Sequence, residues 1–371
     1  MHTNLVWFRN DLRIRDNPAL YTACQDVKSL VIAIYIATPK QWETQAMSPK
    51  QALFIFKNLL YLKKKLGQFG ITLYYHSSEN FLTAVSYLIQ FCIQHKVNNV
   101  FINCEYPIYE RRRDLLLKKK LLINKIYLHE FHGNMLVSPE TIKKKNGDFY
   151  HKYFAFKKCL IHYLKIKKNH LYSIPQKKQQ HNNKTVKISS FEYPTETFNE
   201  ILFPIGEEKA LLQLKNFCKH QVSSYNYNRN YPSLNATSGL SAHLSIGVLS
   251  IRQCLFHLIK IYPNVLYLQE EFLWINELIW REFFYYLIAS FPYLSQNKPF
   301  LKWTLFIPWN DNTHYFNAWK KGQTGFPIVD AGMRQLNSLG WMHNRLRMIT
   351  ASFLVKNLLI DWKQGQKYFM S

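Results

Sequence analysis

The run Leu5-Val6-Trp7-Phe8-Arg9-Asn10-Asp11-Leu12-Arg13 decides the fold of the first part of the chain. Its apolar first half, rich in aromatic and β-branched residues, predicts a buried strand that ends where the arginine begins. Similar short apolar runs follow at 30–36, 71–76, 100–104 and 126–131. The stretches between them have helical spacing, near 18–26, 49–67, 80–95 and 107–120. This alternation predicts an α/β domain over residues 1–132, with a parallel, Rossmann-like sheet covered on both faces.

The residues just after the first strand bear on the type of α/β domain. A dinucleotide-binding sheet carries a G-x-G-x-x-G loop at this point, because glycines allow the backbone to approach a pyrophosphate. Here the polar run Arg9-Asn10-Asp11 stands there instead. The sheet is therefore not expected to bind a dinucleotide in the ordinary way.

The rest of the chain divides into two parts of different character. Residues 133–204 are rich in Lys, Asn, Gln and Pro and lose periodicity, apart from one possible helix at 152–167. We interpret them as an interdomain linker. Residues 205–371 have helical periodicity throughout and predict an all-α domain without strands.

Composition narrows the class of protein. The chain has 48 Lys and Arg against 23 Asp and Glu, a net charge of +25, which favours a polyanionic partner such as nucleic acid, although AT-rich codons produce the same bias. The 6 cysteines are scattered and predict neither disulfides nor a zinc site. We expect no metal. The absence of a long apolar run or a signal peptide predicts a cytoplasmic protein with no membrane partner.

The first candidate site is the run Trp274-Ile275-Asn276-Glu277-Leu278-Ile279-Trp280-Arg281. On a helix Trp274, Glu277 and Arg281 share a face, and Trp280 lies at its edge. Two interpretations stay open: a buried ion pair with aromatic packing, or the wall of a pocket for a flat, polar ligand.

A second candidate is the helix predicted over Trp341-Met342-His343-Asn344-Arg345-Leu346-Arg347-Met348. Asn344 and Met348 share a face at positions i and i+4, and an amide can bind the edge of a base. Arg345 and Arg347 are suited to phosphates. The alternative is an ordinary solvated amphipathic helix.

The third candidate is Thr237-Ser238-Gly239-Leu240-Ser241, followed by a helical pattern and preceded by Tyr225 and Arg229. Hydroxyl groups at the start of a helix provide a seat for an anion, because free N–H groups and the helix dipole add to them. The alternative is that these residues are ordinary helix N-caps, a position where Ser and Thr are also common.

Tryptophan is concentrated in the helical part of the chain. Trp7 and Trp42 lie in the first part, and the other seven lie beyond residue 205. Core packing is one explanation for them. The other is an aromatic site for a planar ligand or for electron hopping.

Taken together, these segments resemble the DNA photolyase/cryptochrome family, in its bacterial cyclobutane-dimer branch. The matching runs, in order along the chain, are 6–13, 17–20, 237–241, 247–250, 277–283, 324–336 and 340–350. The resemblance implies light-driven repair of pyrimidine dimers in damaged DNA by electron transfer from reduced FAD. It also implies a monomer with a helical FAD-binding domain, in which the dimer is flipped out of the duplex.

The resemblance implies roles for individual residues. Those expected to contact the dimer are Glu277, Trp280, Asn344 and Met348. Those expected to contact DNA phosphates around it are Arg229, Arg281 and Arg345. Those expected to hold FAD are Tyr225, Thr237, Ser238, Gly239, Leu240, Ser241, Trp274, Arg281 and Arg347. Trp309 and Trp362 match two members of the tryptophan chain that reduces the flavin.

Two departures from the family pattern qualify these expectations. The family continues beyond the position of Ser371 with acidic residues, an asparagine and a tryptophan near the flavin, so we expect a truncated FAD domain that binds FAD poorly. The folate antenna, 5,10-methenyltetrahydrofolate, is bound through an Asn-Glu pair of which only Glu110 is present, and Ser295-Gln296 replaces the facing Cys-Lys pair.

Three functions therefore stay open. The first is a dimer photolyase. The second is a cryptochrome-type blue-light receptor or a photolyase for the other pyrimidine photoproduct, although the latter has a histidine at the position of Asn344. The third is a flavin-free remnant that binds DNA without catalysis.

Overall fold

A five-stranded parallel sheet forms the first part of the molecule. The computed structural model describes residues 2–167, 170–178, 188, 190–268 and 272–371. The strand order is β3-β2-β1-β4-β5, and every pairing is parallel. The strands are β1 (Thr3–Phe8), β2 (Leu30–Ala37), β3 (Thr72–Ser77), β4 (Val97–Asn103) and β5 (Tyr127–Phe131). The predicted α/β fold is confirmed, with every predicted strand present.

The helices of this part follow the predicted alternation. They are α1 (Pro18–Ala23), α2 (Pro39–Thr44), α3 (Pro49–Gln68), α4 (Phe81–Gln94) and α5 (Ile108–Ile123). Helix α2 is short and is not among the helices that the sequence predicts. Three of the five start with a proline at N1 or N2, where its missing N–H costs nothing.

Strand β1 is buried on both faces, which explains its unbroken apolar run. Leu5 and Trp7 pack in one hydrophobic cluster, with residues of α4 and α5. Val6 and Phe8 point into another, which continues through α3 into the helical part of the chain. A parallel sheet covered on both faces requires apolar residues at successive positions, because successive side chains point to opposite faces.

The second part of the chain is helical, and no strand occurs beyond residue 205 among the described residues. Its helices are α7 (Glu207–His220), α8 (Tyr225–Asn228), α9 (Ser241–Ser245), α10 (Ile251–Ile261), α11 (Trp274–Ser290), α12 (Thr313–Lys321), α13 (Pro327–Leu339), α14 (Asn344–Ser352) and α15 (Trp362–Met370). Shorter 3₁₀ turns lie at Pro139–Thr141, Pro292–Gln296 and Lys302–Phe306, and a π-helical turn at Phe353–Asn357.

Helix α14 begins later than its sequence pattern predicts. The pattern predicts a helix from Trp341, but α14 starts at Asn344. Gly340, with φ of +67°, ends α13, and His343 is the N-cap of α14, with its Nδ1 accepting from the N–H of Arg345 at 3.2 Å. The chain changes direction between the two helices, which leaves Trp341 in a connecting segment.

The loop after β1 joins the two parts of the molecule. The guanidinium of Arg13 is fully buried and donates to the carbonyls of Gly133, at 2.7 Å, and Gly247, at 2.9 Å. Asp16 forms an ion pair at 3.0 Å with Arg252 of α10. The polar run that replaces a dinucleotide loop is therefore the start of an interdomain connection.

One helix of the predicted linker, α6 (Tyr153–Ile166), packs along α11 and confirms the helix expected at 152–167. The hydroxyl of Tyr286 on α11 donates to the carbonyl of Ile142 at 2.8 Å and accepts from the N–H of Tyr150 at 2.9 Å. Phe156 of α6 packs on the ring of Tyr286, with centroids 4.7 Å apart. The Gln- and Lys-rich stretch at 179–187 lies outside the described residues.

All six cysteines are free, and four of them are buried. Within the described part of the chain, no group of three or more His, Cys, Asp or Glu is placed to hold a metal ion. Among the same residues no helix has the length and apolar character needed to cross a membrane.

Candidate functional site

An ion pair between α8 and α11 forms the centre of the candidate site. Nη1 of Arg229 lies 2.6 Å from Oε1 of Glu277, and both side chains are partly exposed. The guanidinium of Arg229 also lies over the ring of Tyr225, 5.3 Å from its centroid. The cation that pairs with Glu277 thus comes from another element and not from Arg281 on the same helix face.

Arg281 has a different environment. Its Nη1 donates to the carbonyl of Asn134 at 3.1 Å and its Nη2 to the carbonyl of Leu244, in α9, at 3.3 Å. The guanidinium stacks on Tyr285, 4.2 Å from the ring centroid. The structure therefore places Arg281 where α9, α11 and the segment after β5 meet.

Helix α14 brings a second arginine to the same region. Arg345 donates from Nη2 to the side-chain oxygen of Asn230 at 2.8 Å, and Asn230 follows directly after Arg229. Asn344 and Met348 are exposed on α14, Met348 to 55%. Burial, and then the charges of Arg345 and Arg229, lower the pKa of His343. The neutral imidazole can therefore accept from the backbone while two cations lie nearby.

Tyr225 and Trp274 form a buried aromatic wall next to the ion pair. Each ring contacts Phe217 of α7, with centroids 5.9 Å away for Tyr225 and 5.0 Å for Trp274. The side chain of Asn226 accepts from the N–H of Leu273 at 3.1 Å, which fixes α8 against the start of α11. Burial, reinforced by Glu277, raises the pKa of Tyr225 to about 12, so its hydroxyl stays protonated.

The segment of Thr237, Ser238, Gly239, Leu240 and Ser241 leads into α9. Its three hydroxyl groups have no hydrogen-bond partner among the described residues, and Leu240 is buried. Gly239 has φ of +62°, a conformation that favours glycine. A Cβ added there would lie 2.7 Å from Nε2 of Gln213, which donates to the carbonyl of Ser238 at 2.9 Å.

This segment fits the phosphate end of a dinucleotide. Free hydroxyls are donors for phosphate oxygens, and a glycine without Cβ lets a ligand approach the backbone. The helix that follows is only 5 residues long, shorter than the sequence pattern suggested. The hydroxyl groups and the glycine, more than the helix dipole, therefore make the segment suitable for an anion.

Arg347 and Trp362 lie apart from this wall, at a cavity of about 390 Å³ between α14 and α15. Phe369 forms another side of the cavity, with the Arg347 guanidinium 5.0 Å from its ring centroid. Burial lowers the pKa of Arg347. The cavity borders a hydrophobic cluster around Trp319 and Leu354, whereas Tyr225 and Trp274 belong to another cluster, so Arg347 lies apart from those two expected FAD residues.

Trp309 and Trp362 lie on adjoining segments. The N–H of Asn310, next to Trp309, donates to the carbonyl of Leu359 at 2.7 Å, three residues before Trp362. Neither ring contacts another aromatic ring within the part of the chain that the structure describes. The structure thus brings their backbones together without stacking the rings.

Glu110 faces the interior of the α/β part. Its Oε1 accepts from Nε2 of Gln45 at 3.0 Å, beside a cavity of about 80 Å³ lined also by Trp7 and Arg9. Burial raises the pKa of Glu110. Ligand pockets usually measure at least about 300 Å³, so this cavity is too small to enclose a folate. The antenna stays a prediction.

Three residues near the site are not among those that the sequence predicts. Asn230 anchors Arg345, Gln213 supports the Ser238 segment, and Tyr153 stacks on Trp280 with ring centroids 3.5 Å apart. The cluster of aromatic residues that opens the helix at 152–167 was a usable signal for Tyr153. Nothing in the local sequence marks the other two, because their partners come from distant segments.

Family models match both parts of the chain. The model described as "DNA photolyase" matches residues 4–175, and the model described as "FAD binding domain of DNA photolyase" matches residues 274–371. The deoxyribodipyrimidine photo-lyase of Buchnera aphidicola subsp. Baizongia pistaciae is 48% identical over 100% of this chain and 78% of its own length. The chain belongs to the DNA photolyase family. FAD is accordingly its cofactor.

Other members of the family support this assignment. The deoxyribodipyrimidine photo-lyase of Escherichia coli K12 is 41% identical, again over 100% of this chain and 78% of its own. The crystal structure of a class III photolyase from Agrobacterium tumefaciens has a TM-score of 0.85 and 30% identity, covering 100% of this chain and 76% of that one. A Synechocystis cryptochrome has a TM-score of 0.88 and 27% identity, with 100% and 78% covered.

Proposed function

We propose that this chain repairs cyclobutane pyrimidine dimers in DNA in a light-dependent reaction with FAD. The observation that carries the proposal is the Arg229–Glu277 ion pair, which lies one helical turn from Trp280 at a partly exposed surface. A cation, a carboxylate and an indole at one surface match the phosphate, the polar edges and the flat rings of a flipped pyrimidine pair.

Each residue at this surface has a proposed task. Trp280, which is partly exposed, stacks on the flipped lesion. Glu277, held in place by Arg229, forms a hydrogen bond to the lesion, and this bond becomes strong once the bound lesion excludes water from it. Asn344 offers its amide to a base edge, and Met348 supplies a flexible apolar contact.

Arg229 and Arg345 bind the phosphates on either side of the lesion. Asn230 links them, because it follows Arg229 in the chain and accepts from Arg345. The net charge of +25 favours DNA in general, while these two side chains position it. The guanidinium of Arg281 donates to two backbone carbonyls. Its positive charge, at the interdomain junction, adds to the attraction of DNA phosphates.

The FAD phosphates are proposed to bind at Thr237, Ser238 and Ser241, where Gly239 leaves room beside the backbone and the buried Leu240 anchors the segment. The proposed neighbours of the rest of the cofactor are Tyr225, Trp274, Arg281 and Arg347. When bound and reduced, FAD supplies the electron that opens the dimer after it absorbs light. The residues of the chain bind it, orient it and exclude water.

Several finer points belong to the same proposal. We propose an α/β domain at 1–132, a linker at 133–204 and a helical domain at 205–371, in a monomeric cytoplasmic protein.

Trp309 and Trp362 carry electrons toward the flavin. Glu110 is the candidate contact of a 5,10-methenyltetrahydrofolate antenna, which the cavity beside it is too small to enclose.

The test is a repair assay with the purified chain, reconstituted with FAD, reduced, and given an oligonucleotide with one thymine dimer. We expect loss of the dimer under blue light and none in the dark. Preferential binding without repair would favour a DNA-binding remnant. Equal affinity for damaged and intact duplex, together with bound flavin, would favour a cryptochrome. Repair confined to the other pyrimidine photoproduct would overturn the assigned substrate.

A further inference from the structure

Tyr153 covers one face of Trp280. The two rings are nearly parallel, with an interplanar angle of 2° and centroids 3.5 Å apart. Tyr153 is the first residue of α6, while Trp280 lies in the middle of α11. The Tyr153 residue is buried, with 9% of its surface exposed, whereas Trp280 is partly exposed. A ligand that stacks on Trp280 must therefore use the part of the indole that Tyr153 leaves open.

The position of Tyr153 is set by contacts other than the stack itself. Its hydroxyl donates to the carbonyl of Asn276 at 3.3 Å. In an α-helix that carbonyl is also the acceptor for the N–H of residue 280, so Tyr153 is tied to the helical turn that carries Trp280. Its ring also meets the edge of Phe283, with centroids 5.7 Å apart. Isolated aromatic pairs prefer offset or edge-on geometry, so these anchors impose the face-on arrangement.

The rest of α6 is held just as firmly. Phe156, one turn on from Tyr153, is fully buried against Phe283 and Tyr286 of α11. The hydroxyl of Tyr286 bridges two backbone groups of the segment before α6. The ring of Tyr153 is therefore supported by a packed helix, which makes it a rigid backing for the indole.

We propose that Tyr153 is a positioning residue that fixes the plane of Trp280 for stacking on the flipped pyrimidine dimer. This inference rests on the proposed function, in which Trp280 stacks on the lesion. An indole held in one orientation loses less rotational freedom on binding, so the backing increases affinity for damaged DNA without touching it. Glu277 precedes Trp280 by three residues in the same helix, so one tyrosine orients the turn that carries both groups.

The experiment compares dissociation constants for dimer-containing and intact duplex among Tyr153→Leu, Tyr153→Phe and the control Tyr163→Leu. Tyr163 lies on the same helix, nearly three turns away. We expect Tyr153→Leu to reduce the preference for damaged DNA about three- to tenfold, the range for one aromatic pair. Tyr153→Phe keeps the ring and should retain most of the preference. Tyr163→Leu should leave it unchanged.

Repeating the substitution in a Trp280→Ala background separates positioning from a general structural role. If Tyr153 acts through the indole, Tyr153→Leu costs no further preference there. An equal loss in both backgrounds, or an unchanged preference in a folded Tyr153→Leu protein, would overturn the inference.

A measurement without DNA keeps the inference independent of the proposed function. In protein labelled with 5-fluorotryptophan, the ¹⁹F resonance of Trp280, assigned from Trp280→Phe, should shift in Tyr153→Leu and not in Tyr163→Leu. An unmoved resonance would refute the positioning role. A resonance that shifts in Tyr153→Leu, together with a wild-type protein that has no preference for damaged DNA, would refute the proposed function instead.

Discussion

Nη1 of Arg229 and Oε1 of Glu277 are 2.6 Å apart, and this contact joins the C-terminal end of α8 to α11. The pair is made between segments separated by 48 residues. Arg229 neutralises the carboxylate of Glu277, which would otherwise repel DNA phosphates, and holds that carboxylate in one orientation.

Glu277→Gln tests the carboxylate of this pair. The amide has the same shape but no charge, so it makes a weaker hydrogen bond to the lesion. We expect dimer repair under saturating light to slow about ten- to hundredfold, the value of one hydrogen bond to a charged group. Single-turnover repair rates measure the effect. Unchanged rates would show that Glu277 only anchors Arg229.

The two arginines differ in their partners, and salt dependence should show it. Arg345 contacts the neutral Asn230, whereas Arg229 is paired with a carboxylate. Arg345→Gln should reduce the slope of log affinity against log salt concentration by about 1, the release of one counterion. Arg229→Gln should reduce it less. Equal slopes for both variants would contradict this ranking.

Glu282 should make stability depend on pH. It is fully buried, and burial raises its pKa to about 7, although Arg281 and the N–H groups of Leu136 and Val137 act against that shift. A carboxyl with a raised folded-state pKa binds more protons folded than unfolded between about 4.5 and about 7. Its contribution to stability is therefore present below about 4.5 and is lost as pH rises through about 7.

Glu282→Gln removes this titration and keeps an oxygen for the two N–H groups. The difference in unfolding free energy between wild type and variant should move in favour of the wild type as pH falls from 8 to 5. Urea unfolding at several pH values measures it. A constant difference would mean that Glu282 does not titrate in this range.

Gly247 and Gly67 form a matched pair for backbone effects. Gly247 has φ of +68°, and an added Cβ would collide with the carbonyl oxygen of Asn10 across the domain junction. Gly67 lies exposed near the end of α3, with nothing within 4 Å of an added Cβ. Gly247→Ala should destabilise the protein by about 1–3 kcal/mol. Gly67→Ala should stabilise it by up to about 1 kcal/mol, measured by thermal unfolding.

The sheet and most helices could be predicted from the sequence because their signals are local. The apolar run of β1 and the hydrophobic spacing of α3 each depend on residues within one element. The start of α14 could not be predicted, because the pattern of Trp341 to Met348 is compatible with a longer helix. The left-handed turn at Gly340 and the buried His343 cap decide where it begins.

The sequence by itself determined the family, the two-part architecture and the identity of the residues that match the family's motifs. Only the tertiary structure decided which of those residues meet. It paired Glu277 with Arg229, turned Arg281 toward backbone carbonyls, and placed Tyr153 against Trp280. The physical reason is that periodicity reports which face of an element is buried, whereas a partner across the fold depends on how separate elements dock, which no local pattern encodes.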